Sequence, residues 1–488
     1  MQWLDAVAPV RMTRITLVAP ESTLRDVLVR IADAATVEIE LPDRRQTAPG
    51  EAAARLQHAG QAPSAPALSA ARPDLDRLEQ AGRYDLLAGE AELEEYASAA
   101  AKRSGVTALA GWIPANRLRD VAASVAEVGG AVVSRRHPFG SQAPTLLRDA
   151  GLRRSLTPLV QTYGTVPYAD VDPTWPAWVA YVLMFGMMFG DAGQGVFLVA
   201  AALVLRAGWP RWARRYRRAW PFVGGAGLAA TGFGLLYGEC FGPTGLVPTA
   251  WLDPLAHPIT LLLVAAAIGV VLLALAYGLG TINRWREGGW PAAMYAPSGI
   301  AGIFFFLGAG AAAAGWYLRQ SLLTGAGALV AIAGLALALI GFLAEAGGGT
   351  AGTMQASVEA FDFVVRLGSN VVSFTRLAAF GLTHAALGML VWEGTQALWD
   401  RGGMLAVAGM ILFAAGTALA FSLEALAAAI QALRLEYYEL FSRVFVEQGR
   451  PFRPWHVPTA TGPEAAARES ERVPALAAGI GGERCWPG

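Results

Sequence analysis

Five ionisable residues near the C-terminal end of the chain stand out because they interrupt long apolar segments. They are Asp362, Arg376, His384, Glu424 and Arg434. A charged group inside a bilayer is costly, so such residues persist where they pair with one another or line a path for water or ions. Two fixed cations among groups that gain and lose protons indicate the movement of protons or other ions across a membrane.

Both apolar segments carry a polar stripe at helical spacing. On the first, the stripe consists of Ser369, Ser373, Arg376 and Thr383, at steps of four, three and seven residues. These steps place the four side chains on one helix face. On the second, Gln431 follows Glu424 by seven residues and Arg434 by ten. We predict that the two stripes line a polar path.

The helical rise predicts the depth of each charge. With the first segment entering from the cytoplasm, Arg376 lies roughly 21 Å deeper than Asp362, and His384 lies about 12 Å beyond it. On the returning segment, Glu424 lies about 15 Å outward of Arg434. Two arginines near the midplane would thus separate an inner proton path from an outer one.

Each of these residues also has a purely structural interpretation. Arg376 would then be the ion-pair partner of Glu424, and His384 would hydrogen-bond a neighbouring helix. Asp362 would cap the start of a helix, and Arg434 would hold the last helix by pairing.

Composition indicates a membrane protein. Of 488 residues, 54% are hydrophobic and 16% are charged, against about 45–50% and about 25% in soluble domains. Equal numbers of basic and acidic residues, 38 each, leave no basic surface of the kind that nucleic-acid binding needs. Two cysteines cannot build a disulfide framework, and the only lysine, Lys102 in AKRSG, excludes an ATP-binding loop that ends in GK[ST].

Hydropathy and loop charge predict a polytopic α-helical membrane domain over 171–456. The loop at 206–218 is rich in arginine, whereas 241–257 has neither lysine nor arginine. The positive-inside rule then requires a hairpin at GDAG (190–193) and places both termini in the cytoplasm. The predicted spans are 175–190, 193–206, 217–240, 258–283, 297–318, 322–345, 364–399 and 402–446.

The N-terminal region, 1–170, is predicted to be a small cytoplasmic α+β domain. Strand patterns at 14–18, 37–40 and 106–114 alternate with helix patterns at 22–34 and 115–130, which suggests a split β-α-β arrangement. We interpret 42–74, rich in Pro, Ala and Gln, as a linker and 75–103 as polar helix. The tail, 457–488, has the composition of a disordered segment.

The longest motifs resemble a known family. The stretches at 373–394 (SFTRLAAFGLTHAALGMLVWEG) and 421–455 (FSLEALAAAIQALRLEYYELFSRVFVEQGRPFRPW) resemble the last two helices of subunit a, or subunit I, of V-type and A/V-type rotary ATPases. Similar resemblances cover the family's hairpin, third span and cytoplasmic lobe, at FGMMFGDAGQG (185–195), GLLYGECFG (234–242), GWIP (111–114) and YGTVPYADVDPT (163–174).

The resemblance implies a stator subunit with two proton half-channels and no catalytic activity or cofactor of its own. It assigns the essential arginine to Arg376, the second arginine to Arg434, and the titratable positions to His384, Glu424 and Asp362. The implied partners are the proteolipid c-ring, peripheral stalk subunits, and the central-stalk and nucleotide-binding subunits. An arginine suits this role because it stays charged and favours the deprotonated form of a passing ring carboxyl.

The chain departs from the family in having only about 170 residues before the membrane region, so the arm that reaches the peripheral stalks is short. Two other functions stay open. A non-coupling membrane scaffold fits the short arm, and a ring-independent secondary transporter would use the same buried charges but predicts repeated halves or broken helices. The abundance of Ala, Gly and Arg suggests a GC-rich bacterial genome, and hence a bacterial inner membrane.

Overall fold

The computed structural model describes residues 8–41, 50–60, 65–135, 143–148, 151–347, 349–445 and 449–460. The chain divides into two compact units. The smaller contains Val10–Leu146 together with residues 450–460, and the larger contains Leu147–Gly449. The first division thus falls 24 residues before the predicted boundary at 170, because α6 (Arg153–Tyr163) packs on the first apolar helix, α7 (Thr174–Met188).

An antiparallel sheet forms the centre of the smaller unit, in the strand order β2–β4–β1–β5 with β3 also on β4. Buried residues alternate along β1 and meet the apolar face of α1, for example at Ile15 and Ile31, both 0% exposed. The split β-α-β arrangement is confirmed. The elements are β1 (Met12–Pro20), α1 (Leu24–Ala34), β2 (Glu38–Ile39), β3 (Ala101–Arg103), β4 (Val106–Pro114), α5 (Leu118–Glu127) and β5 (Ala131–Arg135).

The segment 42–74 is more ordered than the linker interpretation predicts. It contains α2 (Glu51–Ala59), whose Ala52 is buried and donates its backbone N–H to Glu94 (3.0 Å) on α4 (Tyr84–Ser98). Residues 42–49 and 61–64 of this segment lie outside the described residues. The polar helix expected at 75–103 is α3 (Leu75–Gln80) followed by α4 and β3.

Residues 450–460 return to the smaller unit, although we assigned them to the membrane domain and the tail. Trp455 is buried, donates its backbone N–H to Val37 O (2.9 Å) and packs its ring 4.4 Å from that of Tyr96. Leu68 N donates to Pro458 O (2.9 Å). These apolar anchors explain the difference, and the rest of the predicted tail, 461–488, lies outside the described residues.

Apolar helices make up most of the larger unit. Among the described residues, six helical segments are long and apolar enough to cross a membrane, and two more, α7 and α8, have 15 and 16 residues. The helices are α7, α8 (Ala192–Ala207), α9 (Trp220–Tyr237), α10 (Pro258–Tyr295), α11 (Ile300–Tyr317), α12 (Ser321–Glu345), α13 (Gly349–Ser373), α14 (Thr375–Trp399) and α15 (Met404–Leu435).

The predicted hairpin at GDAG is confirmed by the way α7 and α8 pack on α9. A methyl group built on Gly225 would lie 2.7 Å from Trp178, and one built on Gly224 would lie 3.3 Å from Ala202. Two adjacent residues of α9 therefore face the first part of α7 and the last part of α8. This means that α7 and α8 run in opposite directions. Small residues permit this close approach.

Two predicted spans differ from the observed helices. The span 258–283 extends as α10 through the arginines at 284 and 286, and it changes direction at Gly289, where φ is 72°. The span 364–399 begins earlier, at Gly349, and is interrupted at Phe374, which separates α13 from α14. The fully buried Phe374 ring occupies the space beside Gly269 on α10.

Candidate functional site

The predicted residues His384 and Glu424 meet between α14 and α15. The Nδ1 atom of His384 hydrogen-bonds the Glu424 carboxylate, and the imidazole is 4% exposed. The Phe189 ring lies 4.9 Å from the imidazole and shields it. The two outer titratable groups thus pair with each other. The pairing uses Nδ1 of the histidine and leaves Nε2 for another partner.

Two further carboxylates join this pair. Asp191 Oδ2 lies 4.0 Å from His384 Nε2. The carboxylate of Glu239 is also close, and one oxygen or nitrogen atom each from Asp191, Glu239 and His384 lies within 4.8 Å of the other two. We call Asp191, Glu239, His384 and Glu424 the outer cluster. It combines three acids with one imidazole.

Neither Asp191 nor Glu239 was singled out from the sequence, although Asp191 lies in the predicted hairpin at GDAG. Asp191 has a role in this turn, because it accepts from Gln194 N and Gly242 N, each at 2.9 Å. The sequence feature that could have identified Asp191 and Glu239 is their position. Each follows an apolar helix and lies in a motif that resembles the family, GDAG or YGECFG.

Arg376 lies directly after the helix interruption. Leu377 N donates to Phe374 O, three residues back (3.0 Å), and Ser373 O accepts a hydrogen bond from Arg376 Nε (3.0 Å). The backbone at the interruption thus anchors the guanidinium. About a quarter of the arginine side chain is exposed.

The side-chain partners of Arg376 are distant. Its Nη1 lies 3.4 Å from Gln431 and its Nη2 lies 3.5 Å from Glu439, both near the outer limit for a hydrogen bond. The alternative that Arg376 pairs with Glu424 is wrong, because Glu424 pairs with His384 instead. The nearby carboxylate is Glu439, which the sequence did not single out.

Glu439 belongs to a π-helical segment, Glu436–Phe441, that follows α15. With its amide oriented to suit its neighbours, Asn370 donates to Glu439 (2.9 Å) and accepts from Arg443 (2.6 Å). Such wider turns inside α-helices occur frequently at functional sites. The segment brings a carboxylate towards Arg376 that regular helical spacing does not predict.

The other predicted charged residues, Asp362 and Arg434, form no hydrogen bond or ion pair with Arg376 or with the outer cluster. Asp362 lies in the middle of α13 and pairs with Arg366 one turn later (2.6 Å), so it does not cap a helix start. Arg434 is exposed and makes no ion pair with any described residue. The remaining stripe hydroxyls bond to backbone, Ser373 to Ser369 O (3.1 Å) and Thr383 to Ala379 O (2.8 Å).

A second pair of carboxyl groups lies apart from these residues, and one of its members, Asp170, comes just before α7. Asp170 is fully buried, and Glu287 on α10 lies beside it. Burial is the main cause that raises the pKa of Asp170 to about 8, and the nearby Glu287 also raises it. The positive charges of Arg284 and Arg286 lower this pKa, but by less. Burial therefore favours the neutral form of Asp170, which lies outside the membrane-spanning helices.

The chemistry of the larger unit is thus divided between two places. Arg376 with Gln431 and Glu439 forms one, and the outer cluster forms the other, about 12 Å further along α14 at helical rise. The first offers a fixed positive charge with loosely held donors. The second offers groups that bind and release protons or hold a cation.

Comparison with known proteins identifies relatives of this chain. The profile of the V-type ATPase 116 kDa subunit family matches residues 96–223, a range that includes GWIP and the hairpin and ends before Arg376. A-type ATP synthase subunit I of Thermococcus kodakarensis is 27% identical over 368 residues, which cover 71% of this chain and 54% of the relative.

Other relatives agree. A-type ATP synthase subunit I of Aeropyrum pernix is 27% identical over 61% of this chain and 49% of its own length. V-type proton ATPase 116 kDa subunit a 3 of Homo sapiens is 33% identical over 28% of this chain and 17% of its own length. The chain thus spans about half the length of the subunit I relatives it matches, which are mostly archaeal.

Proposed function

We propose that this chain, which belongs to the subunit a/I family of V-type and A-type ATPases, is the membrane stator subunit of a rotary ATPase. It carries ions between the two sides of the membrane beside a ring of proteolipid subunits and does not itself hydrolyse ATP. The observation that carries the proposal is Arg376, a partly exposed and weakly paired guanidinium between helices long enough to cross a membrane.

The position of Arg376 suits repeated, reversible pairing with a partner carboxylate. Its Nε is anchored to Ser373 O, so the head group keeps its place. Its Nη atoms have only long contacts, to Gln431 and Glu439. A passing ring carboxylate can therefore compete for them, and the fixed charge favours loss of its proton.

The last helix offers a surface for such a ring. Only 6% of the most apolar stretch of Met404–Val444 is buried, against 28–33% for the other five long segments. Arg434 is exposed on this helix. We infer that the exposed surface faces the ring and that Arg434 is the second arginine that a ring carboxylate meets.

Protons reach the ring through two half-channels in this proposal. The outer cluster forms the outer one, because His384 and Glu424 exchange protons with the carboxylates of Asp191 and Glu239. On the inner side, Asp362 and Ser369 lie along α13, which leads toward Arg376. The positive charge between the two paths prevents protons from crossing directly.

A secondary transporter is less well supported. That function predicts unwound helix segments near the substrate, whereas Phe374, at the interruption, keeps helical backbone angles (φ −74°, ψ −14°). A non-coupling scaffold would have no need of Arg376 and the outer cluster.

Purification of the tagged chain from its native membrane tests the proposal. We expect proteolipid, stalk and nucleotide-binding subunits to co-purify in an assembly that hydrolyses ATP. A chain that purifies alone and moves ions in vesicles would indicate a transporter. An assembly that hydrolyses ATP but moves no ions would indicate a scaffold.

A further inference from the structure

The outer cluster has the composition of a metal site as well as that of a proton path. Asp191, Glu239 and His384 are buried, at 0%, 6% and 4% exposed, and their ligand atoms converge within 4.8 Å. Tetrahedral zinc, with bonds of about 2.0–2.2 Å, requires ligand atoms about 3.4 Å apart. The ligand atoms would therefore have to approach one another by up to about 1.4 Å, mainly through rotation of the Glu239 side chain.

Glu239 supplies an independent indication that this group of side chains binds a cation. Its side chain makes no hydrogen bond or ion pair with any residue in the described part of the chain, yet it is buried and directed at His384 and Asp191. A buried carboxylate without a partner is costly. A bound cation would provide that partner.

His384 is held in the way that metal-binding histidines are held. His384 Nδ1 bonds the Glu424 carboxylate, which leaves Nε2 facing Asp191. A carboxylate on the far ring nitrogen fixes the tautomer and raises the basicity of the metal-binding nitrogen.

The backbone holds together the two turns that carry the acidic ligands. Ala192 N, next to Asp191, donates to Glu239 O (2.9 Å), so the two turns are directly bonded to each other. Asp191 Oδ2 also accepts from Gly242 N (2.9 Å) and retains a free lone pair for a metal. Rigid placement of this kind is what a metal site requires.

We propose that Asp191, Glu239 and His384 bind one Zn²⁺ ion, with Glu424 as the outer carboxylate that orients His384. One imidazole nitrogen and two carboxylate oxygens form a mixed donor set that suits zinc better than magnesium or calcium. The isolated chain contains all four residues, so zinc binding can be tested without the rotary assembly. Because metal ligands must be deprotonated, zinc and protons would compete for the groups of the proposed outer half-channel.

Isothermal titration of the untagged full-length chain in detergent, with Zn²⁺ in an excess of Mg²⁺, tests the proposal. We expect one ion per chain, binding at least tenfold weaker in Glu239→Gln, and binding about 10–100-fold weaker in Glu424→Gln. Glu393→Gln, an exposed glutamate on the same helix as His384, is the matched control and should bind like the wild type.

X-ray absorption of the zinc-loaded wild type decides the ligand set even if a variant does not fold. One imidazole with oxygen ligands at about 2.0–2.2 Å supports the site. No stoichiometric binding, equal affinity of Glu239→Gln and Glu393→Gln, or a sulfur shell from the neighbouring Cys240 would overturn it.

Discussion

Gly269 on α10 leaves room for the Phe374 ring at the α13–α14 interruption, and its replacement by alanine tests whether this packing positions Arg376. A Cβ atom at residue 269 would lie 2.4 Å from Cγ of the buried Phe374 ring, where ordinary contact begins at 3.4 Å. The ring or the helix must therefore move by about 1 Å. Because Arg376 follows two residues later, it should move as well.

The expected cost of Gly269→Ala is about 1–3 kcal/mol of stability, the usual range for overpacking. A displacement of about 1 Å at a functional group reduces rate by up to about 100-fold. Thermal unfolding in detergent measures the first effect, and ATP-driven proton uptake by the reconstituted assembly measures the second.

Gly278→Ala is the matched control, because it lies on the same helix and a Cβ there meets nothing within 4 Å. It should be neutral or stabilise by about 0.5–1 kcal/mol. Adding Phe374→Leu to Gly269→Ala should restore part of the lost stability, which a double-mutant cycle measures. If Gly269→Ala were as stable and as active as Gly278→Ala, the packing argument would be refuted.

Three further outcomes follow from the fold. The pKa of Asp170 is raised to about 8, so its stabilising contribution is complete below about pH 4 and is lost as pH rises to 8. Thermal scans should show that Asp170→Asn removes this fall in stability with pH. An unchanged dependence of stability on pH would contradict the assignment. Trp455→Ala should destabilise the smaller unit by about 3–5 kcal/mol, seen as faster amide exchange at β2, and unchanged exchange would count against the assigned packing. Cysteines at Arg215 and Pro248 should be labelled only from the cytoplasmic and only from the outer side, respectively, and reversed labelling would invert the topology.

The sequence predicted the parts of the fold that repeat a simple period. Alternation in β1 and the apolar face of α1 were enough to predict the split β-α-β unit, and runs of apolar residues located the helices of the larger unit. Depth at helical rise placed His384 and Glu424 on the outer side of the two arginines, but it did not predict that the two side chains pair with each other.

The rest depended on contacts that no local period encodes. Glu439 reaches Arg376 because a π-helical segment changes the spacing after α15. Glu239 and Asp191 reach His384 because two turns are hydrogen-bonded to each other. The return of residues 450–460 to the smaller unit rests on a long-range contact of Trp455, which composition alone assigned to the membrane region.

The central claim is that the charge of Arg376 drives ion transfer at the ring. We expect Arg376→Gln to assemble normally and to abolish ATP-driven acidification of reconstituted vesicles, because the ring carboxylate loses the group that favours its deprotonation. Arg401→Gln removes an equal charge at the exposed turn between α14 and α15 and should pump like the wild type. Acidification by Arg376→Gln at more than a small fraction of the wild-type rate would contradict the account.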